Sequence, residues 1–121
     1  SVGIMAKYHS FRKLGRTAAH RRMLLRNLAT SLFLHERIKT TTAKGKELRS
    51  YAEWILTAAK TNDIAARRRI AAVILNDTAR QKIFNVLVPR YADRPSGRLR
   101  IWHLPPRASD NSQMCLVKLL V

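Results

Sequence analysis

The apolar residues of this chain change their spacing at Pro89, and this change limits the folds that the chain can adopt. Before Pro89 they recur every three or four residues, as in amphipathic helices, whereas after it apolar and polar residues alternate, as in strands. A helical region followed by a strand region indicates an α+β domain. With 121 residues, the chain is long enough for one such domain with a modest core.

Four helices are predicted before Pro89. The first begins at the N-cap residue Thr17 and extends to about His35, and the second is capped by Thr41 or Thr42 and extends to about Lys60. The third follows a turn at residues 61–63 and extends to about Leu75, while Asp77 and Thr78 cap a fourth that Pro89 ends. The predicted buried stripes are Leu24, Leu25, Leu28 and Leu32; Leu48, Ala52, Ile55 and Ala59; Ile70, Val73 and Ile74; and Ile83, Phe84 and Leu87.

Two strands are predicted at residues 98–104 and 113–121, separated by a turn-forming stretch. We expect them to pair antiparallel as a hairpin whose apolar face rests on the helices, with residues 37–41 as a candidate third strand. The predicted fold class is therefore α+β, with about four helices packed on a small two- to three-stranded sheet. Cys115, the only cysteine, is expected to be a small apolar side chain in the last strand.

The chain carries a net charge of +17, from 24 Lys and Arg against seven Asp and Glu. So much like charge in a small domain is self-repulsive, so a polyanionic partner is expected. A membrane surface is the competing partner, but no stretch reaches the roughly 18 apolar residues that a spanning helix requires. The composition therefore favours nucleic acid, with no membrane, small-molecule substrate, cofactor or metal expected.

Residues 1–16 are predicted to form an extended basic arm, and residues 17–121 a single folded domain. The arm contains cations and flat rings but no acidic residue, and the first acidic residue of the chain is Glu36. A solvated tail is the alternative interpretation, but acid-free basic arms commonly become ordered on nucleic acid. The positive surface should therefore be concentrated in the first 35 residues.

Candidate RNA-binding residues lie on the arm, on the first two helices and in the strand region. Lys44, Lys46 and Arg49 oppose the dipole of the second helix, a conflict that an RNA phosphate would relieve. Whether the run 67–69 contacts RNA is left open. The complete predicted set is Lys7, His9, Arg12, Lys13, Arg16, Thr17, His20, Arg21, Arg22, Arg26, Lys39, Lys44, Lys46, Arg49, Arg94, Arg98, Arg100 and Arg107.

Two other classes of function fit the sequence less well. A nuclease would pair two acid–base groups, but His20, His35 and His103 show no such pairing, and no phosphate loop, nucleophile elbow or acidic metal cluster is present in the sequence. A DNA-binding regulator would join its helices by a tight turn, whereas a β-prone segment separates the first two helices here. A structural RNA-binding protein is therefore favoured over both.

Three ordered blocks of residues resemble the bacterial-type large-subunit ribosomal protein seventeen family. The blocks are Lys13-Leu14-Gly15-Arg16-Thr17 with His20-Arg21 and Leu25-Arg26-Asn27-Leu28; His35-Glu36-Arg37-Ile38-Lys39-Thr40-Thr41 with Lys44, Lys46, Glu47, Leu48 and Arg49; and Leu87, Pro89-Arg90-Tyr91-Ala92, Arg94, Gly97, Arg100-Ile101, Arg107, Asp110 and Met114. The similarity covers about residues 7–121. No single piece is diagnostic, but the three blocks in this order are highly specific.

The resemblance implies a structural protein of the large ribosomal subunit. It implies an α+β fold, no catalytic activity, and binding to large-subunit rRNA near the polypeptide exit region beside other ribosomal proteins. We do not expect a homo-oligomer. Departures from the family pattern at residues 5–12, 96–99 and 109, together with Ser1 as the first residue, favour a mitochondrial ribosome in the matrix; bacterial cytoplasm and plastid are the alternatives.

Overall fold

The computed structural model describes residues 18–121. The predicted arm, with its candidate RNA contacts, and the predicted N-cap Thr17 lie outside the described residues. The elements in chain order are helix α1 (Ala18–His35), strand β1 (Arg37–Thr41), helix α2 (Thr42–Ala59), helix α3 (Ile64–Val73), helix α4 in three consecutive segments (Asp77–Lys82, the π-helical Ile83–Leu87, and Val88–Arg90), strand β2 (Leu99–Leu104) and strand β3 (Met114–Leu119).

The three strands form one antiparallel sheet in the order β1-β3-β2. The predicted hairpin of β2 and β3 is confirmed, and the candidate third strand pairs with the other edge of β3. Val117 lies opposite both Ile38 and Ile101, so these residues share the sheet face that packs on the helices. The predicted α+β class is therefore confirmed, with the three-stranded form of the sheet.

Gly45 in the first turns of α2 allows the helix to lie directly against this inner face. A Cβ atom at Gly45 would clash with the Sγ of Cys115 and would lie 3.2 Å from a methyl carbon of Val117. Cys115 is fully buried there, as predicted for a small apolar side chain, and burial raises the pKa of its thiol. The close approach of α2 fixes its position relative to β3 and β1.

The predicted core stripes of α2 and α3 are confirmed, since all their residues are buried. In α1 the stripe is shifted: Leu25 and Leu32 are buried with Ala29 and Phe33, whereas Leu24 and Leu28 are only half-buried. The shift follows the 3.6-residue period, because buried positions separated by four, three and one residues lie along one side of the helix. No helix in the described part of the chain is both long and apolar enough to cross a membrane.

The ends of α4 differ from the prediction. Its N-cap is Asn76, whose side chain accepts a hydrogen bond from the Ala79 N–H at 2.8 Å, and not Asp77 or Thr78. Pro89 does not end the helix either. It lies in the first turn of the segment Val88–Arg90, directly after the π-helical segment, and a missing N–H is tolerated at such a position.

Candidate nucleic-acid interface

Arg21, predicted to bind RNA, is instead buried beneath the surface of α1. Its guanidinium lies 3.2 Å from the Glu47 carboxylate of α2, and the two side chains are only 5% and 3% exposed. A buried charge is tolerated only when it is paired, so the contact fixes α1 against α2. The prediction that Arg21 binds RNA is therefore wrong, because its guanidinium is engaged inside the helix pair.

Arg98, also predicted to bind RNA, is buried as well. The residue precedes β2, so strand alternation does not direct its side chain outward, and it is 1% exposed. Its guanidinium donates hydrogen bonds to the Glu53 carboxylate at 3.2 Å and the Thr57 hydroxyl at 2.9 Å. The Arg98 backbone N–H also donates to Glu53, at 3.1 Å. Arg98 therefore joins the start of β2 to α2 and is not available to RNA.

Glu36, between α1 and β1, binds two cations of α4. Its carboxylate accepts hydrogen bonds from Arg90 at 2.7 and 3.1 Å, and the Lys82 ammonium lies 3.0 Å away. These cations, Arg90 above all, outweigh the effect of burial and lower the pKa of Glu36 to about 2. These two ion pairs hold α4 against the end of α1.

The remaining acidic residues are also used within the fold, apart from Asp93. Asp63 caps α3 by accepting from the Ala66 N–H at 2.8 Å. Asp77 lies 3.2 Å from Arg80, and Asp110 lies 3.2 Å from Arg107. Since all seven acidic residues of the chain lie in the described part, nearly all the negative charge neutralises internal cations or a helix end.

The first turns of α1 and α2 present a joint cationic surface, which we call the helical end. The Arg21–Glu47 contact joins these turns, so it brings the basic starts of both helices side by side. The members of the helical end are His20, Arg22 and Arg26 of α1 and Lys44, Lys46 and Arg49 of α2, and all are exposed or half-buried. The candidate RNA-binding residues that the sequence placed on both helices thus lie on neighbouring turns.

A groove of about 540 Å³ extends from the helical end toward the junction of α3 and α4. Arg22, Arg26, Asn27 and Thr30 of α1 line one wall, and Leu75 is among the residues opposite. Arg26 also lies beside the buried Tyr51, whose pKa is raised by burial despite this guanidinium. The groove therefore combines cations and hydrogen-bonding groups on one side, an arrangement that suits a phosphodiester backbone.

The other predicted residues are dispersed. Lys39 on β1, Arg100 on β2 and Arg94 after α4 are exposed, and they lie on elements other than the two helices of the helical end. Arg107 is exposed in the β2–β3 loop and is paired with Asp110. The run Arg67–Arg69 is exposed along α3, with the Arg67 guanidinium 4.6 Å from the centre of the Phe84 ring.

The predicted set omitted Arg37 and Lys118, although both lie on the same side of the sheet as Arg100. Cross-strand pairing places Lys118 between Arg37 and Arg100. The alternation of side chains along each strand is the signal that could have found them, once the register was known. No group of three or more His, Cys, Asp or Glu within residues 18–121 could hold a metal ion.

Comparison with known proteins identifies close relatives along most of the chain. Residues 24–120 match the profile of the family described as Ribosomal protein L17. The chain is 43% identical over 109 residues to the large ribosomal subunit protein bL17 of Halothermothrix orenii, covering 90% of this chain and 96% of that protein. It is 44% identical over 111 residues to the bL17 protein of Desulfitobacterium hafniense, covering 92% and 99% of the two chains.

A fungal protein is similarly close. The large ribosomal subunit protein bL17m of Schizosaccharomyces pombe is 49% identical over 113 residues, which cover 91% of this chain and 55% of the fungal protein. The bacterial and fungal relatives thus each match about nine-tenths of this chain.

Proposed function

The chain belongs to the ribosomal protein L17 family, and from this premise we propose how its surface charge serves a large ribosomal subunit. A member of this family is a structural constituent of the large subunit and not an enzyme. Its partners are accordingly ribosomal RNA and other ribosomal proteins. The question left to its structure is which side chains contact the RNA.

We propose that the helical end is the main RNA-binding surface of the folded domain. The observation that carries this proposal is the internal use of the acidic residues: Glu47 binds Arg21 inside the helix pair, while Lys46 and Arg49 remain exposed beside it. Exposed cations on a rigid pair of helices can replace the counterions of RNA phosphates without any rearrangement of the fold. The groove along α1 extends this surface and would hold the sugar–phosphate backbone of one RNA strand.

The predicted arm, residues 1–16, is proposed to extend the same surface. The arm precedes the cationic start of α1 directly, so its Lys7, Arg12, Lys13 and Arg16 would continue the positive charge into the RNA. Thr17, His20 and Asn27 would add hydrogen bonds to phosphates or 2′-hydroxyl groups. The domain would thereby fix the direction in which the arm enters.

Matched charge removal tests the helical end. The variant Arg22→Gln/Lys46→Gln/Arg49→Gln should weaken binding to large-subunit rRNA and lower the slope of log affinity against log salt by about two to three. The control Arg67→Gln/Arg68→Gln/Arg69→Gln removes the same charge from α3 and should change both quantities much less. Filter binding of the full chain at several salt concentrations measures the two effects, and equal losses in both variants would contradict the proposal.

We also propose a mitochondrial ribosome as the location, near the polypeptide exit region, with one copy of the protein per subunit rather than a homo-oligomer. The fungal bL17m relative supports this location, although bacterial relatives are equally close. Sedimentation of extracts from purified mitochondria and from the remaining cell fraction tests it. The native protein should co-sediment with mitochondrial large subunits, and its recovery with cytoplasmic or plastid ribosomes would overturn this location.

A further inference from the structure

The sheet has a second face, turned away from the helices, that carries cations and a tryptophan. Strand alternation and register place its nine side chains in three cross-strand rows, which we call the outer face. The rows are Arg37, Lys118 and Arg100; Lys39, Leu116 and Trp102; and Thr41, Met114 and Leu104. The residues between them, such as Thr40, Cys115 and Val117, are buried against the helices, which confirms the division into two faces.

The first row brings three like charges together across neighbouring strands. Lys118 is the cross-strand partner of both Arg37 and Arg100, and strand spacing places the three residues over roughly 10 Å. Like charges directly opposite one another destabilise a sheet. The row is therefore unfavourable in the free protein, and a bound anion that spans it would relieve the repulsion.

No acidic side chain neutralises this row within the described residues. The three strands contain no Asp or Glu. Glu36, which directly precedes Arg37, is bound by Arg90 and Lys82 of α4. The charge of the outer face is therefore left for a partner.

Trp102 adds a flat apolar surface next to the cations. It is 40% exposed, and the guanidinium carbon of Arg100 lies 5.8 Å from the centre of its ring. Leu116 is the cross-strand partner of Trp102 on β3 and is half-buried. An exposed ring flanked by cations is the combination that binds an unpaired nucleotide, since the base stacks on the ring while phosphates meet the cations.

We propose that the outer face binds a single-stranded segment of RNA, with one base stacked on Trp102 and the backbone phosphates on the row Arg37, Lys118 and Arg100. This inference rests on the proposed RNA-binding function and adds a second contact of a different kind, on the side of the domain that lies away from the helices. Duplex RNA fits less well, because its bases are stacked inside the helix and cannot reach the Trp102 ring.

Tryptophan fluorescence provides a local readout of this site. In a Trp54→Phe background Trp102 is the only tryptophan, and an oligouridylate of about ten nucleotides should quench its emission on binding to the full chain. Because substitution of Trp102 removes the fluorophore, filter binding measures the affinity of its variants. Trp102→Ala should lower the affinity for this oligonucleotide about 5- to 100-fold, and Trp102→Phe should restore part of it. Circular dichroism melts of each variant verify that the fold is kept.

Charge variants test the phosphate contacts. Arg37→Gln/Lys118→Gln should lower the slope of log affinity against log salt for the oligouridylate by about one to one and a half. The matched Arg22→Gln/Lys46→Gln variant should have less effect, measured in both cases by quenching of Trp102. Absence of quenching, equal affinity of the Trp102→Ala variant, or stronger quenching by a polyglutamate peptide or a duplex RNA would overturn the inference. If the outer face fails these tests but rRNA binding is still weakened by charge removal at the helical end, only the present inference is wrong and the proposed function is kept. If the chain binds no RNA at all, the proposed function itself fails.

Discussion

Replacement of Glu36 by Gln is the sharpest test of how the acidic residues hold this fold together. The Glu36 carboxylate binds Arg90 and Lys82, and its backbone carbonyl accepts a hydrogen bond from the Leu119 N–H at 2.9 Å. Arg90 and then Lys82 lower the pKa of this carboxylate from its ordinary 4.5 to about 2, against the opposing effect of burial. A difference of that size corresponds to about 3 kcal/mol of stability at neutral pH.

Solvent screening reduces this figure, because the Glu36 side chain is 31% exposed and those of Arg90 and Lys82 are 22% and 21% exposed. We therefore expect Glu36→Gln to lower the free energy of unfolding by about 1–2 kcal/mol at pH 7. The folded pKa is depressed, so the contribution is fully present above pH 4.5 and is lost as the pH falls toward about 2.

Urea denaturation of the wild-type chain and the Glu36→Gln variant, followed by circular dichroism across this pH range, measures the difference directly. The two free energies of unfolding should differ most at neutral pH and converge as the solution approaches pH 2. Titration of the other carboxyl groups affects both proteins and cancels in the comparison. A difference that is independent of pH, or absent at pH 7, would refute the electrostatic explanation.

A second variant at the same position separates charge from backbone conformation. Glu36 has a φ of 67°, a left-handed conformation that costs a non-glycine residue about 1 kcal/mol or more. Glu36→Gly loses the same ion pairs as Glu36→Gln but relieves this cost, so it should be the more stable of the two. The opposite order would show that the left-handed backbone at the end of α1 is not strained.

Two further substitutions test the packing of α2. Gly45→Ala should destabilise the domain by about 1–3 kcal/mol, because its Cβ would clash with the Cys115 Sγ. The loss should be smaller in a Cys115→Ala background, and a double-mutant cycle by denaturant unfolding measures the difference. Arg21→Met should lower the free energy of unfolding by about 3–5 kcal/mol, because it leaves Glu47 buried and unpaired. Arg21→Met/Glu47→Met should recover most of that loss. Additive losses in the double variant would contradict the pairing.

The helices and strands could be predicted because they depend on local patterns. Leu48, Ala52 and Ile55 recur at helical spacing, and that spacing alone places them on one side of α2. The alternation after Pro89 likewise identified the hairpin, whereas the register of its strands is known only from the structure. Local patterns cannot show that a π-helical segment before Pro89 lets α4 continue past its predicted end.

The inward arginines could not be predicted, because their partners are distant in the chain. Arg21 is 26 residues from Glu47, and Arg98 is 45 residues from Glu53. In a chain with 24 basic residues, nothing local distinguishes these two from arginines that face solvent. The available signal lies in the acidic residues instead: Glu47 directly precedes the predicted core residue Leu48, so a carboxylate near the core required a cation from elsewhere.

The scarcity of acidic residues therefore has a structural meaning beyond net charge. Glu36, Glu47 and Glu53 each bind a cation from a distant element, so these acidic residues connect helices and strands through ion pairs. Once they are engaged, they cannot offset the repulsion at the helical end or along the first row of the outer face. Both surfaces are therefore higher in energy in the free protein than in a complex with a polyanion. Because a ligand that binds only the folded state stabilises it, RNA would complete the charge balance of the domain as well as being held by it.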